Sequence, residues 1–431
     1  VSTTPVRSAV RGGVRGVVTR TMSKTFYRNS LLILATQAVT SVVGYLFWAL
    51  TARDSGPAVT GLSGSLVSAV HATALVASTG VVVGSIPLLA QAADVRTRRA
   101  NAVAACVAVA LLSLAGGVVL VTVVPRLVGS LEPAAESGLA LALVVLVVST
   151  GVGQFIDVFA LAVHRTPVML WRGGLAGVAR LPVFLLPGAA TLELLIWAHA
   201  LATVAADVVA LLVLRPRGAL EHLRRAIPSV WGRRRFYTGH HVTSLGAAGA
   251  VYLLPVVVLS RLGPEAAGYF YPTWLLGALF FTVSPAVANA YMARSGADGS
   301  ALHSSVRSAV VLVLVLLAVP LLVVAVAPGA VLSLLGPGYA ERGRVLLWVL
   351  ALSAVPDAVT NIAVAALRVR GRLRTAAVLN TGMSVLALVA AVPLLAWLGI
   401  AGGGVAWLLA QTAGALAVPF LLRRPRVPAE G

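Results

Sequence analysis

Arg53-Asp54-Ser55-Gly56-Pro57-Ala58-Val59-Thr60-Gly61 closes one long apolar run and opens another, and Arg261-Leu262-Gly263-Pro264-Glu265-Ala266-Ala267-Gly268 does the same, with Pro264 lying 207 residues after Pro57. In both copies Gly-Pro marks a tight turn, because glycine accepts backbone angles closed to other residues and proline cannot continue the preceding helix. The glycine four residues beyond each proline opens the returning helix. The repeat predicts one helical hairpin used twice. Other phrases recur at a similar offset: Val124-Pro125 through Leu131-Glu132-Pro133 to Gly138 has a counterpart in Ala327-Pro328 through Leu335-Gly336-Pro337 to Gly343. The run from Ala198 to Leu214-Arg215-Pro216 likewise resembles that from Ala406 to Leu422-Arg423, followed by Pro425. These matches predict two homologous halves of six spans each, the even number keeping both in the same direction.

Composition says where such a chain lives. Hydrophobic residues make up 59% of its 431 positions and charged residues 11%, and the mean hydropathy is +0.96. A soluble domain does not carry that balance. Inside a bilayer only segments that satisfy their own backbone hydrogen bonds are stable, and these runs are too long and too uniformly apolar for barrel strands. The expected fold class is an all-α polytopic membrane protein, with about 12 transmembrane helices in two homologous six-helix bundles around a central cavity. The spans fall at roughly 30–52, 60–88, 101–124, 138–162, 173–189, 192–214, 240–261, 267–292, 307–328, 344–367, 375–397 and 401–422. The domains are then a basic cytoplasmic tail (1–28), a first bundle (29–214), a basic cytoplasmic linker (215–239), a second bundle (240–422) and a cytoplasmic tail (423–431).

The formal charge of +20, from 33 Lys and Arg against 13 Asp and Glu, would suggest nucleic acid in a soluble protein. Here the charges sit in short loops without interleaved aromatics, so they point to membrane topology and away from a nucleic-acid partner. With the amino terminus placed in the cytoplasm, 27 of the 33 basic residues fall on the inner side, as the positive-inside rule requires. Only Arg53, Arg126, Arg261, Arg342 and Arg344 fall outside, and Arg180 alone lies within a span. Both termini are therefore expected in the cytoplasm. The first apolar run exceeds a signal-peptide core, so it is read as an uncleaved span. The single cysteine, Cys106, excludes a disulfide framework and a cysteine metal site. There is no P-loop, no Asp-x-Asp sugar-nucleotide site, no His-Glu-x-x-His and no nucleophile elbow, and the short outer loops leave no room for a soluble catalytic domain. No cofactor is expected.

Polar groups inside spans are the candidates for function, since a charge at mid-membrane costs about 2.5–3.5 kcal/mol on insertion scales. Gln37, Ser41, Gly44 and Trp48 share one face of the first span, and Gly64, Ser68, His71 and Ser78 one face of the second. Such stripes serve either close helix packing or a hydrated wall. Asp157, Arg180 and Asp207 fall at similar depth in spans four, five and six, as a structural ion pair or as a proton or sodium site. A pairing of Arg180 with Asp157 or Asp207 predicts that Asp207→Ala destabilises the protein and that adding Arg180→Ala partly restores it. His199 and Thr203 continue the Asp207 face. In span ten Ser353, Asp357 and Asn361 recur at spacing four beside Pro356, which frees a backbone carbonyl and suits a cation site or a flexible point. Arg53 and Arg261 either snorkel to the interface or hold an anionic group such as a phosphate. Tyr252, Tyr269, Phe270, Tyr271, Trp274 and Tyr291 form an interfacial belt or platforms for sugar rings.

Asn29-Ser30-Leu31 entering the first span, Phe47-Trp48-Ala49 with Ala52-Arg53 closing it, Leu334-Leu335-Gly336-Pro337-Gly338-Tyr339-Ala340-Glu341 in an outer loop, and Gly399-Ile400-Ala401-Gly402-Gly403-Gly404-Val405-Ala406 before the last span resemble the polysaccharide (O-antigen type) flippases. These belong to the multidrug, oligosaccharidyl-lipid and polysaccharide exporter superfamily. The resemblance spans roughly residues 26–422. It implies a V-shaped pair of bundles in the bacterial inner membrane whose cavity is lined by spans one, two, seven and eight. Gln37, Trp48, Arg53, His71, Tyr252, Arg261 and Trp274 are the substrate-cavity candidates. Asp157, Arg180, Asp207, Asp357 and Asn361 are the candidates for ion coupling or an intramembrane ion pair. The implied cargo is a lipid-linked oligosaccharide of the polyprenyl pyrophosphate type, used in polysaccharide or lipopolysaccharide biosynthesis of the cell envelope. Membrane lipid and the pathway's polymerase and glycosyltransferases are the implied partners. Two alternatives stand beside it: a proton- or sodium-coupled multidrug or metabolite antiporter of the same fold, and a membrane-embedded sugar polymerase or transferase, for which the outer loops offer only Asp54, Glu132, Glu136, Glu265 and Glu341.

Overall fold

The structure, a computed structural model, describes residues 40–92, 94–214, 234–295 and 302–422. The two tails, residues 215–233 of the linker and the start of the first span, with Gln37, lie outside the described residues. Every long element is a helix: α1 (40–54), α2 (Gly56–Ala90), α3 (Val95–Thr122), α4 (Ser137–Ala162), α5 (Pro167–Val178), α6 (Leu192–Leu214), α7 (234–262), α8 (264–295), α9 (Leu302–Val326), α10 (Arg344–Val369), α11 (Leu373–Leu398) and α12 (Ile400–Leu422). Ten helices among the described residues are long and apolar enough to cross a membrane. Dividing the continuous 62-residue helix at Gly263, and adding the described part of α1, accounts for the twelve spans expected.

Both copies of the repeated turn have the predicted backbone. Gly56 has φ +75° and Gly263 φ +81°, a region that costs an L-residue strain and glycine nothing. Each is followed by proline at the first helical position, where its missing N–H is no loss. The chain therefore reverses at one face of the molecule, hereafter the turn face.

The two copies also pack on each other. A methyl group on Gly61 would overlap the Pro264 carbonyl and the Gly268 nitrogen, and one on Gly268 would overlap the Pro57 carbonyl. So α2 and α8 cross in reciprocal backbone contact, which small residues alone permit. One turn further along, Gly64 lies against the ring of Tyr271. Toward the opposite face α2 meets α7, where the Gly80 N–H donates to His241 Nδ1 at 3.2 Å.

Connections at the turn face are tied down by named hydrogen bonds. Asp54 accepts from the Ala190 N–H at 2.7 Å, and Ser55 Oγ donates to the Ala190 carbonyl at 2.8 Å. Arg53 crosses from the first bundle to the second, Nε donating to the Leu334 carbonyl at 2.8 Å. Tyr339 Oη donates to the Gly268 carbonyl at 3.1 Å. At the opposite face Arg165 donates to the Val213 carbonyl at the end of α6, and Arg370 and Arg372 donate to Leu422 and Leu421 at the end of α12. Arginine suits those carbonyls because they form the negative end of the helix dipole. Asp94 caps α3 by accepting from the Thr97 N–H at 2.7 Å, and that bond holds its carboxyl below the usual carboxylate range.

The main core runs through both bundles and includes Phe47, Leu66, Leu143, Ile196, Leu254, Phe270, Trp274 and Leu350. Its complement is an apolar exterior: Val319, Leu322, Leu186 and Trp397 all face outward. In water such a surface drives association, whereas in a bilayer it is the lipid contact.

Candidate transport cavity

Between the bundles lies a cavity of about 420 Å³. The first bundle builds most of it: Ser41, Gly44, Tyr45 and Trp48 of α1, His71 of α2, Thr150 and Gln154 of α4, Arg172 and Arg180 at and beyond α5, and His199 and Thr203 of α6. The second bundle closes it with Tyr252 of α7 and Tyr271, Leu275, Ala278, Leu279 and Thr282 of α8. Aromatic pairs join the two sides. Trp48 meets Tyr271 edge-on at 4.7 Å, and His71 stacks on Tyr252 at 5.3 Å with 19° between the rings.

Trp48, His71 and Tyr252 thus line the cavity. Trp274 does not; it is buried between Phe270 and Trp407, with centroids 5.6 and 5.4 Å away. Arg53 and Arg261 do not line it either. Both end their helices at the turn face, where Arg53 binds the 333–334 carbonyls and Arg261 is exposed. The four helices implied by the resemblance do contribute, but α4, α5 and α6 supply the charged and many of the polar groups.

The intramembrane ion pair differs from expectation in its arginine. Arg172 binds Asp157 through both oxygens, Nε to Oδ1 at 2.8 Å and Nη2 to Oδ2 at 2.5 Å, while Nη1 reaches Asp207 Oδ1 at 3.1 Å. Arg180 pairs with neither carboxylate; its Nη1 lies 2.6 Å from His199 Nε2. The reason is where α5 begins. The helix starts at Pro167, six residues before the expected 173, so Arg172 lies inside it and not in a loop. Two turns further along the chain, Arg180 faces His199, which is likewise two turns nearer the turn face than Asp207. Thr166-Pro167, a proline at the first helical position, is the signal that reveals this start. Gly153 lets the triad assemble, since a methyl group there would collide with Arg172 Nη1.

A second buried carboxylate, Asp357 on α10, accepts from Ser284 Oγ at 2.6 Å, and Asn361 Nδ2 donates to the same Ser284 Oγ at 3.0 Å. The structure thus joins Asp357 and Asn361 through a serine on α8 that no local pattern marks. Ser353 instead bonds its own helix at the Leu350 carbonyl.

No family model matches the chain, and no curated protein matches it in sequence. Solved structures do. The chain is similar to the lipid II flippase MurJ in an inward closed conformation, with a TM-score of 0.70 at 10% identity, covering 90% of this chain and 87% of that one. The inward-facing conformation of a multidrug resistance MATE family transporter matches with a TM-score of 0.64 at 15% identity, over 90% of this chain and 97% of that one. The chain shares the fold of these membrane transporters. An outward-facing conformation from the MATE family scores 0.57 at 16% identity, over 93% of this chain and 97% of that one. Ten apolar helices among the described residues and this fold make the chain a multi-pass membrane protein.

Proposed function

We propose that the protein is a non-enzymatic flippase that moves a lipid-linked oligosaccharide or polysaccharide precursor across the bacterial cytoplasmic membrane by alternating access. The carrying observation is the charge of the cavity wall: Arg180 lines it with no carboxylate partner among the described residues, and none of the described lining residues is Asp or Glu. Such a wall attracts a polyprenyl diphosphate linkage and repels a cationic drug. Trp48, Tyr252 and Tyr271 offer amphipathic rings to a glycan, while the polyprenyl tail stays in lipid. With both termini in the cytoplasm under this reading, the turn face is the outer side, where α2 and α8 are in contact. Upstream glycosyltransferases and a downstream polymerase are the natural partners.

Deleting the gene is expected to trap the lipid-linked sugar in the cytoplasmic leaflet and to remove surface glycan. An unchanged pool with new sensitivity to cationic compounds would reject this function and favour the antiporter.

That second reading has its own support in Asp357. The residue is 3% exposed and has no Lys or Arg ion-pair partner among the described residues, which suits a proton or sodium ion. Under it, Asp357→Asn is expected to abolish cation-driven efflux of a cationic dye from reconstituted vesicles. Dye flux that never depended on either cation ends this reading.

A further inference from the structure

Two arginines reach the cavity, and their surroundings differ. Arg172 is bound by two carboxylates. Arg180 has no carboxylate partner among the described residues: its Nε donates to the Gly177 carbonyl at 3.3 Å, its Nη1 to His199, and its guanidinium lies 5.1 Å from the centre of the Phe47 ring. A guanidinium has five N–H donors and accepts nothing. His199 Nε2 must therefore be the acceptor, which puts the imidazole proton on Nδ1, where it donates to the Leu195 carbonyl at 3.3 Å. A neutral histidine orients Arg180 and leaves its charge uncompensated.

The free Nη2 is left open by two glycines. Methyl groups on Gly44 of α1 and Gly177 of α5 would each stand 3.8 Å from it, so no side chain from either position covers that end of the guanidinium. A cation unpaired within a membrane span is expensive to retain and marks a binding site when it faces a cavity.

Building on the flippase reading of this cavity, we infer that Arg180 is its anion subsite, taking a phosphate or diphosphate group at Nη2 and the remaining Nη1 hydrogen between Gly44 and Gly177, with His199 holding the fork in place. The two hydrogens present the geometry that pairs with phosphate oxygens. The subsite belongs to the first bundle, away from Arg53 and Arg261.

The test uses the full chain in nanodiscs of neutral phospholipid, titrated with inorganic pyrophosphate, farnesyl diphosphate and farnesol, and read by calorimetry and by the fluorescence of Trp48 in the wall. At least one diphosphate is expected to bind about tenfold or more tighter than farnesol, the scale of a charge-assisted hydrogen bond. Arg180→Gln should erase that preference, Arg180→Lys should keep part of it, and Arg53→Gln should keep all of it. Gly44→Leu retains the guanidinium but fills the space before it, and is expected to erase the preference too. That variant keeps the test decisive if Arg180→Gln does not fold. Binding of farnesyl diphosphate alone assigns the subsite to a lipid headgroup, binding of pyrophosphate alone to a soluble anion, and binding of both to the diphosphate itself. Diphosphates that bind wild type no better than farnesol overturn the inference, as does wild-type preference in both Arg180→Gln and Gly44→Leu. The readout is binding to purified protein, so failure here leaves the leaflet experiment to judge the flippase reading separately.

Discussion

Gly61→Leu is expected to hold the turn face open and stop transport without unfolding the protein. The crossing of α2 and α8 brings backbone against backbone at Gly61, Gly268 and the two prolines, so a side chain there has no flexible neighbour to displace. Overpacking of this kind costs about 1–3 kcal/mol, which shifts a two-state equilibrium by about 5–150-fold. The cost falls on the shut state alone if the bundles separate in the other. Labelling reports the change. With Cys106 replaced by alanine, a cysteine introduced at the fully buried Thr60 should react slowly with a membrane-impermeant maleimide, and at least about fivefold faster once Gly61→Leu is added. Gly268→Leu should act in the same way, because its contact is the mirror of the first. Equal labelling in all three proteins, with an unchanged size-exclusion profile, would remove the crossing from any gating role.

Arg172→Ala should destabilise the protein far more than Arg180→Ala. Removing Arg172 leaves Asp157 and Asp207 facing each other in a low-dielectric interior, and breaking a buried pair in this way typically costs about 3–5 kcal/mol. Removing Arg180 takes away a charge that no carboxylate depends on. Thermal unfolding in detergent should therefore separate the two substitutions clearly, and adding Asp157→Asn and Asp207→Asn to Arg172→Ala should recover part of the loss. The compensation expected between Arg180 and Asp207 is instead predicted to be absent, with their effects simply additive. Equal melting temperatures for Arg172→Ala and Arg180→Ala would contradict the observed triad.

What could be read in advance follows a physical division. Gly56-Pro57 and Gly263-Pro264 announce their turns because the backbone conformation they need is a local property of glycine followed by proline. The helical spans are legible because hydropathy and length set them residue by residue. Asp357 and Asn361 were visible as neighbours on one helix face, but Ser284, which joins them, lies on another helix and in another part of the sequence. Trp48, His71 and Tyr252 were expected at the cavity and line it, while Trp274, a few turns along α8, points into the core. For Arg53, its place at a helix end was clear, whereas its acceptors on the 333–334 segment depend on how the bundles meet.

The sequence by itself determined that this is a helical membrane protein, roughly where its spans lie, and that one hairpin occurs twice, since each of these is set by the apolar energy and backbone freedom of short consecutive stretches. Only the tertiary structure decided that the two hairpins shut against each other, that Arg172 takes both aspartates, and that Arg180 is left facing the cavity. Those outcomes depend on the rotation and depth of whole helices. The start of α5, six residues earlier than expected, puts Arg172 inside that helix beside the aspartates and leaves Arg180 beyond its end.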